Sequence, residues 1–157
     1  MARSIAQARR IRDRRSRRTR RAIPYAARIG VRVNDTQDLV HKVEHGFPYT
    51  AFDKLMGLLS LSGTELAKLL DIPPRTLTRR KQAGRFGPNE SERLLRLSKL
   101  LDAAAELFEG DRNGAVAWLR SPNRALNGET PLVMSKTEIG AREVEDLIGR
   151  LEYGVFT

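Results

Sequence analysis

The stretch SGTELAKLLDIPPRTLTRRKQAGRFGPNESERLLRL, residues 62–97, predicts two short helices joined by a tight turn and followed by a longer helix. Ser62 and Glu65 form an S-x-x-E capping box, in which each side chain accepts a hydrogen bond from the other residue's backbone amide. A proline can open the second helix because the first helical amide has no partner to lose. Gly84 can end this helix in the left-handed conformation. The layout is typical of a helix-turn-helix.

The second helix of this unit carries a basic face. Leu77 is the residue that it is expected to bury, and a period of 3.6 residues places Arg75, Arg79 and Gln82 on the opposite side. Arginine can donate two hydrogen bonds to guanine, and threonine can contact a phosphate or a thymine methyl. Arg80 lies nearer the buried edge, where it can instead bridge to neighbouring helices or to phosphates. The predicted DNA-binding residues are Arg75, Thr76, Thr78, Arg79, Arg80 and Gln82.

The composition restricts the class of protein. The 157 residues suit one domain, or a small domain with appendages, and 40% of them are hydrophobic, which is enough for a core. The absence of cysteine excludes disulfides, thiolate metal sites and a cysteine nucleophile. No apolar run approaches the roughly 18 residues that a membrane helix needs. We therefore expect a cytoplasmic protein without membrane contact.

The net charge of +10 is distributed unevenly along the chain. Residues 1–32 hold 12 arginines and one acidic residue, Asp13, whereas residues 33–157 hold 17 basic and 18 acidic residues. A packed structure is not expected over residues 1–27, because little there can be buried. This segment could be an arm that binds nucleic-acid phosphates, a solvated extension, an organelle-type transit peptide, or the product of a start codon placed too early.

A short helix is expected from Asn34 or Asp35, either of which can cap it, to Gly46. It contains the pattern H-x-x-E-H between His41 and His45, which resembles the inverted zincin motif. The two histidines would share a helical face, but the chain has no other histidine, so a third zinc ligand would have to be a carboxylate. A pair of surface histidines is the preferred interpretation, and no metal or other cofactor is predicted.

The segment after the helix-turn-helix predicts a long helix, from about Asn89 to Phe108, with an unusually wide apolar face. A helix that contacts one partner needs a narrower face, so a second contact is expected, either with the C-terminal part or with a second copy. Shorter helices follow. The last five residues, 153–157, include Val155 and Phe156, apolar residues that a terminus usually avoids unless something covers them.

Five blocks of this sequence resemble the Xre/MbcA/ParS-type antitoxins, and the resemblance covers about residues 30–157. The blocks are R-T-L-x-R-R at 75–80, N-E-S-E-R-L at 89–94, W-L-x-x-P-N at 118–123, L-N-G-x-T-P-L at 126–132 and T-E-x-G-A at 137–141. One departure is Asn127, where the family more often has glycine before Gly128.

The resemblance implies an all-α protein that is not an enzyme and has two binding functions. An Xre-like helix-turn-helix bundle would bind operator DNA and repress the toxin–antitoxin operon. A small helical C-terminal domain would bind a RES-domain toxin and obstruct the pocket in which such toxins degrade NAD+. Family members are typically dimers or larger assemblies, which implies a homodimer or a larger hetero-oligomer with toxin. The expected divisions are an Arg-rich disordered tail at 1–30, the helix-turn-helix domain at 31–100 and a toxin-binding and dimerisation domain at 101–157.

The apolar terminus and the connection after Trp118 indicate where a toxin would bind. We predict that both lie near the mouth of the toxin's active site. The predicted toxin-binding residues are Asn123, Arg124, Asn127, Glu129, Tyr153, Val155 and Phe156.

Other interpretations stay open at this point. One is a stand-alone DNA-binding regulator without a toxin, and another is an adaptor whose helix-turn-helix no longer binds DNA. A third is a metalloenzyme built on His41 and His45, although two histidines without cysteine give no convincing pair of nucleophile and base. A RES-domain gene beside this one, a salt-dependent operator shift and metal analysis of the purified protein would distinguish these interpretations.

Overall fold

The computed structural model describes residues 23–154, and the regular structure in this range is helical. The helices are α1 (Pro24–Arg28), α2 (Thr36–His45), α3 (Thr50–Leu59), α4 (Gly63–Leu69), α5 (Pro74–Ala83), α6 (Pro88–Leu107), α7 (Arg112–Leu119), α8 (Pro131–Met134) and α9 (Glu138–Glu152), with a 3-10 turn at Arg124–Leu126. The predicted all-α class is confirmed. None of the helices in this range is long and apolar enough to cross a membrane.

Helices α2 and α4 begin directly after capping residues that the sequence predicts. Asp35, one of the two predicted caps of α2, accepts a hydrogen bond from the Asp38 amide at 2.8 Å. The capping box of α4 is confirmed: the Ser62 amide donates to Glu65 Oε2 at 2.7 Å, and the Glu65 amide donates to Ser62 Oγ at 3.2 Å. Hydrogen bonds from the backbone amide and the side chain of Ser62 hold the pKa of Glu65 below its usual value, because they favour the ionised carboxylate.

The long helix α6 is the centre of the fold. It contacts three helices that precede it in the chain, α1, α2 and α3, and two that follow it, α7 and α9. The wide apolar face predicted from the sequence is therefore covered on both sides by this chain itself. The residues of α6 that are buried in these contacts are Ser91, Leu94, Leu97, Ser98, Leu100, Leu101, Ala104 and Ala105.

Regular structure begins earlier than the sequence predicts. All but the last residue of helix α1 falls within residues 1–27, where no packed structure is expected, yet Ala26 and Ile29, just after the helix, are fully buried in the core. The reason is local: the segment from Ile23 to Ile29 contains small and branched apolar side chains that fit against α6, whereas the average composition of residues 1–27 is dominated by arginine. The arginines before residue 23 lie outside the described residues.

Two polar contacts fix α1 on α6. The Ser98 hydroxyl donates a hydrogen bond to the Tyr25 carbonyl at 2.5 Å, and Arg28 forms an ion pair with Asp102. Ser98 itself is fully buried, and this bond satisfies a hydroxyl that would otherwise lose its hydration without compensation. The N-terminal helix is thus attached to the middle of α6 by packing and by directional bonds.

A cluster of aromatic rings joins the start of α3 to the connection between α5 and α6. The ring centroids of Tyr49 and Phe86 lie 5.3 Å apart, and those of Tyr49 and Phe52 lie 5.6 Å apart. The Phe86 amide donates to the Phe47 carbonyl at 2.9 Å. Burial raises the pKa of Tyr49, and the nearby Asp53 carboxylate adds to the increase. These contacts hold the end of α5 against the rest of the bundle.

A glycine allows α8 and α9 to approach each other closely. A Cβ atom built on Gly140 would lie 1.8 Å from the Met134 carbonyl oxygen, which is far inside van der Waals contact. Gly149, on the same helix, has no atom within 4 Å of the equivalent position. The first turn of α9 therefore depends on the missing side chain of Gly140.

We expect Gly140→Ala to lower the free energy of unfolding by about 1–3 kcal/mol, because a backbone carbonyl must move to admit the methyl group. Gly149→Ala is the matched control and should raise it by about 0.5–1 kcal/mol, because alanine is the better helix former. Urea unfolding followed by circular dichroism measures both values. Equal effects of the two substitutions would contradict the close approach of α8 and α9.

Candidate functional site

The side chains predicted to contact DNA lie on α5, whose outer face is open to solvent. Arg75, Arg79 and Gln82 are exposed and share one side of the helix. Leu77, which is expected to be buried, is half-buried and packs against the core. Helix α5 is thus held by few apolar contacts along its length and presents mostly polar side chains.

The two threonines on α5 differ in their surroundings. Thr76 is half-buried, whereas Thr78 is exposed and its hydroxyl donates to the Pro74 carbonyl at 3.1 Å. This bond within the helix uses the hydroxyl hydrogen of Thr78, so its oxygen can still accept a hydrogen bond. Both threonines border the exposed arginines.

Arg80 has an internal partner. Its Nε atom lies 2.8 Å from Glu90 Oε2, and the exposed fractions of the two side chains are 29% and 13%. The Nε–H group is not aligned for a hydrogen bond, so the contact is an ion pair. The same carboxylate oxygen accepts from the Gly87 amide at 2.7 Å. Arg80 therefore joins α5 to the start of α6, the bridging role that the sequence left open for it.

The predicted toxin-binding residues between α7 and α8 form a closed loop. The Asn123 amide donates to the Glu129 carbonyl at 3.0 Å, and the Gly128 amide donates to the Asn123 carbonyl at 2.9 Å. The Asn123 side chain accepts from the Ala125 amide at 2.9 Å, and Leu126 is buried in the core. The backbone and the side chain of Asn123 thus hold the loop in its conformation.

The rest of this loop faces solvent. Arg124, Asn127 and Glu129 are all exposed. Asn127 has φ 54°, in the left-handed region, which explains why asparagine can replace glycine there: it tolerates this conformation better than most residues. The departure from the family pattern at Asn127 is therefore compatible with the same loop.

The structure does not bring Tyr153 next to this loop. Tyr153 follows the last residue of α9 and is 83% exposed, whereas the loop immediately precedes α8, which packs at the first turn of α9. Fifteen helical residues rise about 22 Å, so the two groups lie toward opposite ends of α9. The other predicted toxin-binding residues, Val155 and Phe156, lie outside the described residues.

Two exposed apolar residues near the loop were missed in the sequence. Ile139, in the first turn of α9, is 84% exposed, and Val133 on α8 is 44% exposed. Helical periodicity could have indicated Ile139, because it lies well away from the face formed by Val144, Leu147 and Ile148. A groove of about 450 Å³ adjoins Val133 and is bordered by Leu61 and Leu69 of the helix-turn-helix half.

The H-x-x-E-H pattern lies on the exposed side of α2. His45 Nδ1 is 2.9 Å from the His41 carbonyl oxygen, and His41 Nδ1 is 3.7 Å from Glu44 Oε2. Within residues 23–154, no group of three or more His, Asp and Glu side chains is placed to hold a metal ion. Both histidines are exposed.

Two family models match consecutive parts of the chain. The antitoxin Xre-like helix-turn-helix domain matches residues 38–99, and the antitoxin Xre/MbcA/ParS C-terminal toxin-binding domain matches residues 103–154. The first range includes α5 and most of α2. The second includes the Asn123 loop, α8 and α9.

Related proteins agree with these matches. The chain is 41% identical to an antitoxin Xre of Yersinia enterocolitica over 130 residues, which are 82% of this chain and 88% of the relative. It is 35% identical to an antitoxin Xre of Photorhabdus laumondii over 114 residues, 72% of this chain and 77% of that protein. One chain of the crystal structure of the Mycobacterium tuberculosis MbcT-MbcA toxin-antitoxin complex superposes with a TM-score of 0.52 at 29% identity, covering 69% of this chain and 96% of its own.

These findings confirm the resemblance carried by the five sequence blocks. The relatives are named as antitoxins and the matching models describe an antitoxin rather than an enzyme, which removes the metalloenzyme interpretation. This chain belongs to the Xre antitoxin family.

Proposed function

We propose that this chain is the antitoxin of a toxin–antitoxin pair. It binds and neutralises a RES-domain toxin that degrades NAD+, and its helix-turn-helix half represses its own operon in the cytoplasm. The observation that carries the proposal is the succession of a helix-turn-helix match and a toxin-binding match along one chain. The chain binds rather than catalyses, and it works as a homodimer or a larger complex with toxin.

The DNA-binding half of the proposal rests on the outer face of α5. Arg75, Arg79 and Gln82 point away from the bundle and can reach base edges, with Thr76 and Thr78 beside them. Because residues 33–157 carry almost no net charge, attraction to DNA cannot come from a broadly basic surface in this range. We therefore assign specific contacts to Arg75 and Arg79, and we assign Arg80 to positioning α5.

The toxin-binding half rests on exposed groups of the C-terminal part. The Asn123 loop presents Arg124, Asn127 and Glu129, and Ile139 and Val133 add apolar surface near it. A large exposed isoleucine beside polar groups is typical of a surface that a protein partner covers. Tyr153, at the other end of α9, forms a second contact, and Val155 and Phe156 are proposed to bind the toxin as well.

The direct test is co-expression of this chain with a RES-domain protein encoded beside it, scoring growth and co-purification. We expect the toxin to stop growth and this chain to restore it and to co-purify with the toxin. A chain that shifts operator DNA but neither rescues growth nor binds the neighbouring protein would be a stand-alone regulator instead.

Removing the two outer arginines should separate the two functions. We expect Arg75→Ala/Arg79→Ala to weaken operator binding at least tenfold, since each good arginine–guanine pair contributes about 1–3 kcal/mol of discrimination, and to leave toxin neutralisation unchanged. Electrophoretic mobility shift and growth rescue measure the two effects. The matched control is Arg112→Ala/Arg142→Ala, which removes two exposed arginines from α7 and α9. If Arg75→Ala/Arg79→Ala retains the operator affinity of the wild type, α5 is excluded as the DNA-reading helix.

Deleting residues 154–157 should have the reverse effect. We expect weaker neutralisation of the toxin with unchanged operator affinity, because the apolar terminus is removed while α5 is untouched. The toxin concentration needed to arrest growth and the dissociation constant of the purified complex measure this loss. If the truncated chain inhibits the toxin as well as the full chain does, the terminus is not part of the contact.

A further inference from the structure

A groove runs along α2, between this helix, the turn at residues 30–32 and the segment at residues 46–48, and it ends at Arg85. Its volume is about 490 Å³. We call it the α2 groove. It contains both histidines of the H-x-x-E-H pattern, a feature of the sequence that neither toxin binding nor base reading explains.

The α2 groove is strongly basic within an otherwise nearly neutral fold. Arg32, Lys42 and Arg85 line it together with His41 and His45, and all five side chains are exposed. Lys54 adds a further cation at the rim, since a Cβ atom built on Gly30 would lie 2.5 Å from Lys54 Nζ.

The single acidic side chain that lines the groove is already engaged. Asp38 Oδ2 accepts hydrogen bonds from the Asn34 amide at 2.9 Å and from Asn34 Nδ2 at 3.2 Å. Glu44 on the same helix lies beside His41 and is not part of the lining. Among the described residues that line the groove, three lysine and arginine side chains outnumber one carboxylate, and this excess of positive charge suits an extended anion.

The groove adjoins the C-terminal end of α5. Arg85 directly follows Gly84, which ends α5, and its guanidinium donates to the Gly46 carbonyl. The Tyr49 amide donates to the Gly84 carbonyl at 2.9 Å, and Pro48 and Arg85 form an isolated antiparallel bridge. These bonds fix the groove relative to the helix that is proposed to read DNA.

We propose that the α2 groove binds the sugar–phosphate backbone of the operator beside the base pairs that α5 reads. A major groove is about 12 Å wide and is walled by a phosphate backbone on each side, so basic groups just past the end of a helix lying in it meet phosphates. Arg32 and Lys42 donate to phosphate oxygens, and the exposed His41 ring adds an N–H donor, whereas His45 Nδ1 already lies against the His41 carbonyl oxygen. This inference rests on the proposed DNA-binding function.

The experiment uses the full chain and a fluorescein-labelled duplex of the promoter region upstream of the operon. We compare the wild type with Arg32→Ala/Lys42→Ala by fluorescence anisotropy over roughly 50–200 mM NaCl, the range in which phosphate contacts change affinity most clearly. Neither Arg32 nor Lys42 forms an ion pair among the described residues, so the variant should keep its fold. Circular dichroism and thermal unfolding check this.

We expect the variant to bind the duplex about tenfold more weakly at the low-salt end, and the slope of log K against log[NaCl] to become less negative by about 1 for each residue removed. The loss should be similar for operator and unrelated duplexes, because phosphates carry no sequence information. His41→Ala/His45→Ala should weaken binding less. Arg112→Ala/Arg142→Ala is the charge-matched control and should keep the wild-type slope.

The outcomes separate this inference from the proposed function. If the wild type does not bind the duplex, the DNA-binding function itself fails. If the wild type binds but Arg75→Ala/Arg79→Ala binds as tightly, α5 is excluded as the DNA-reading helix. If those two behave as expected but Arg32→Ala/Lys42→Ala keeps the wild-type slope, only the α2 groove is overturned. If this variant keeps its affinity for DNA and loses co-purification with the toxin, the groove binds an acidic surface of the toxin, which also overturns the inference.

Discussion

The burial of α6 on both sides is the constraint on which the rest of the structure depends. Leucines at positions 94, 97, 100 and 101 are almost fully removed from solvent, and each such burial stabilises the fold by about 1.5–3 kcal/mol. Helices from the N-terminal half and from the C-terminal half both pack on this one helix. The surface proposed to read DNA and the surface proposed to bind toxin are therefore held by a shared core and not by a flexible linker.

The sequence predicted most reliably those features whose cause lies within a few residues. The capping box at Ser62 and Glu65, the proline start of α5 and its end at Gly84 all depend on local hydrogen bonds and backbone conformation, and all were found. The packing of α1 was missed, because it depends on Ser98 and other residues more than seventy positions away. The sequence predicted the wide apolar face of α6 and a second contact, but it left open whether the C-terminal part or a second copy makes that contact. In the structure, α7 and α9 of the C-terminal part make it.

In the candidate site, too, the sequence predicted local features and missed those that depend on residues far apart in the chain. Periodicity placed Arg75, Arg79 and Gln82 on an exposed face. For Arg80 it could not decide between a neighbouring helix and phosphates, because its partner Glu90 belongs to another helix. The α2 groove could not be predicted, since it brings Arg32, Lys42 and Arg85 together from three separate segments. Roles in DNA and toxin binding stay predictions for all of these residues.

The position of the family boundary inside α6 has an evolutionary consequence. The two matching domains end at residue 99 and begin at residue 103, both within a helix that runs from Pro88 to Leu107. A recombination at that boundary would combine the two ends of α6 from different parent proteins. Leu97, Leu100 and Leu101 would then have to pack against neighbours from both parents. The halves of such an antitoxin are therefore expected to be inherited together and to diversify by substitutions on their outer surfaces rather than by exchange of modules.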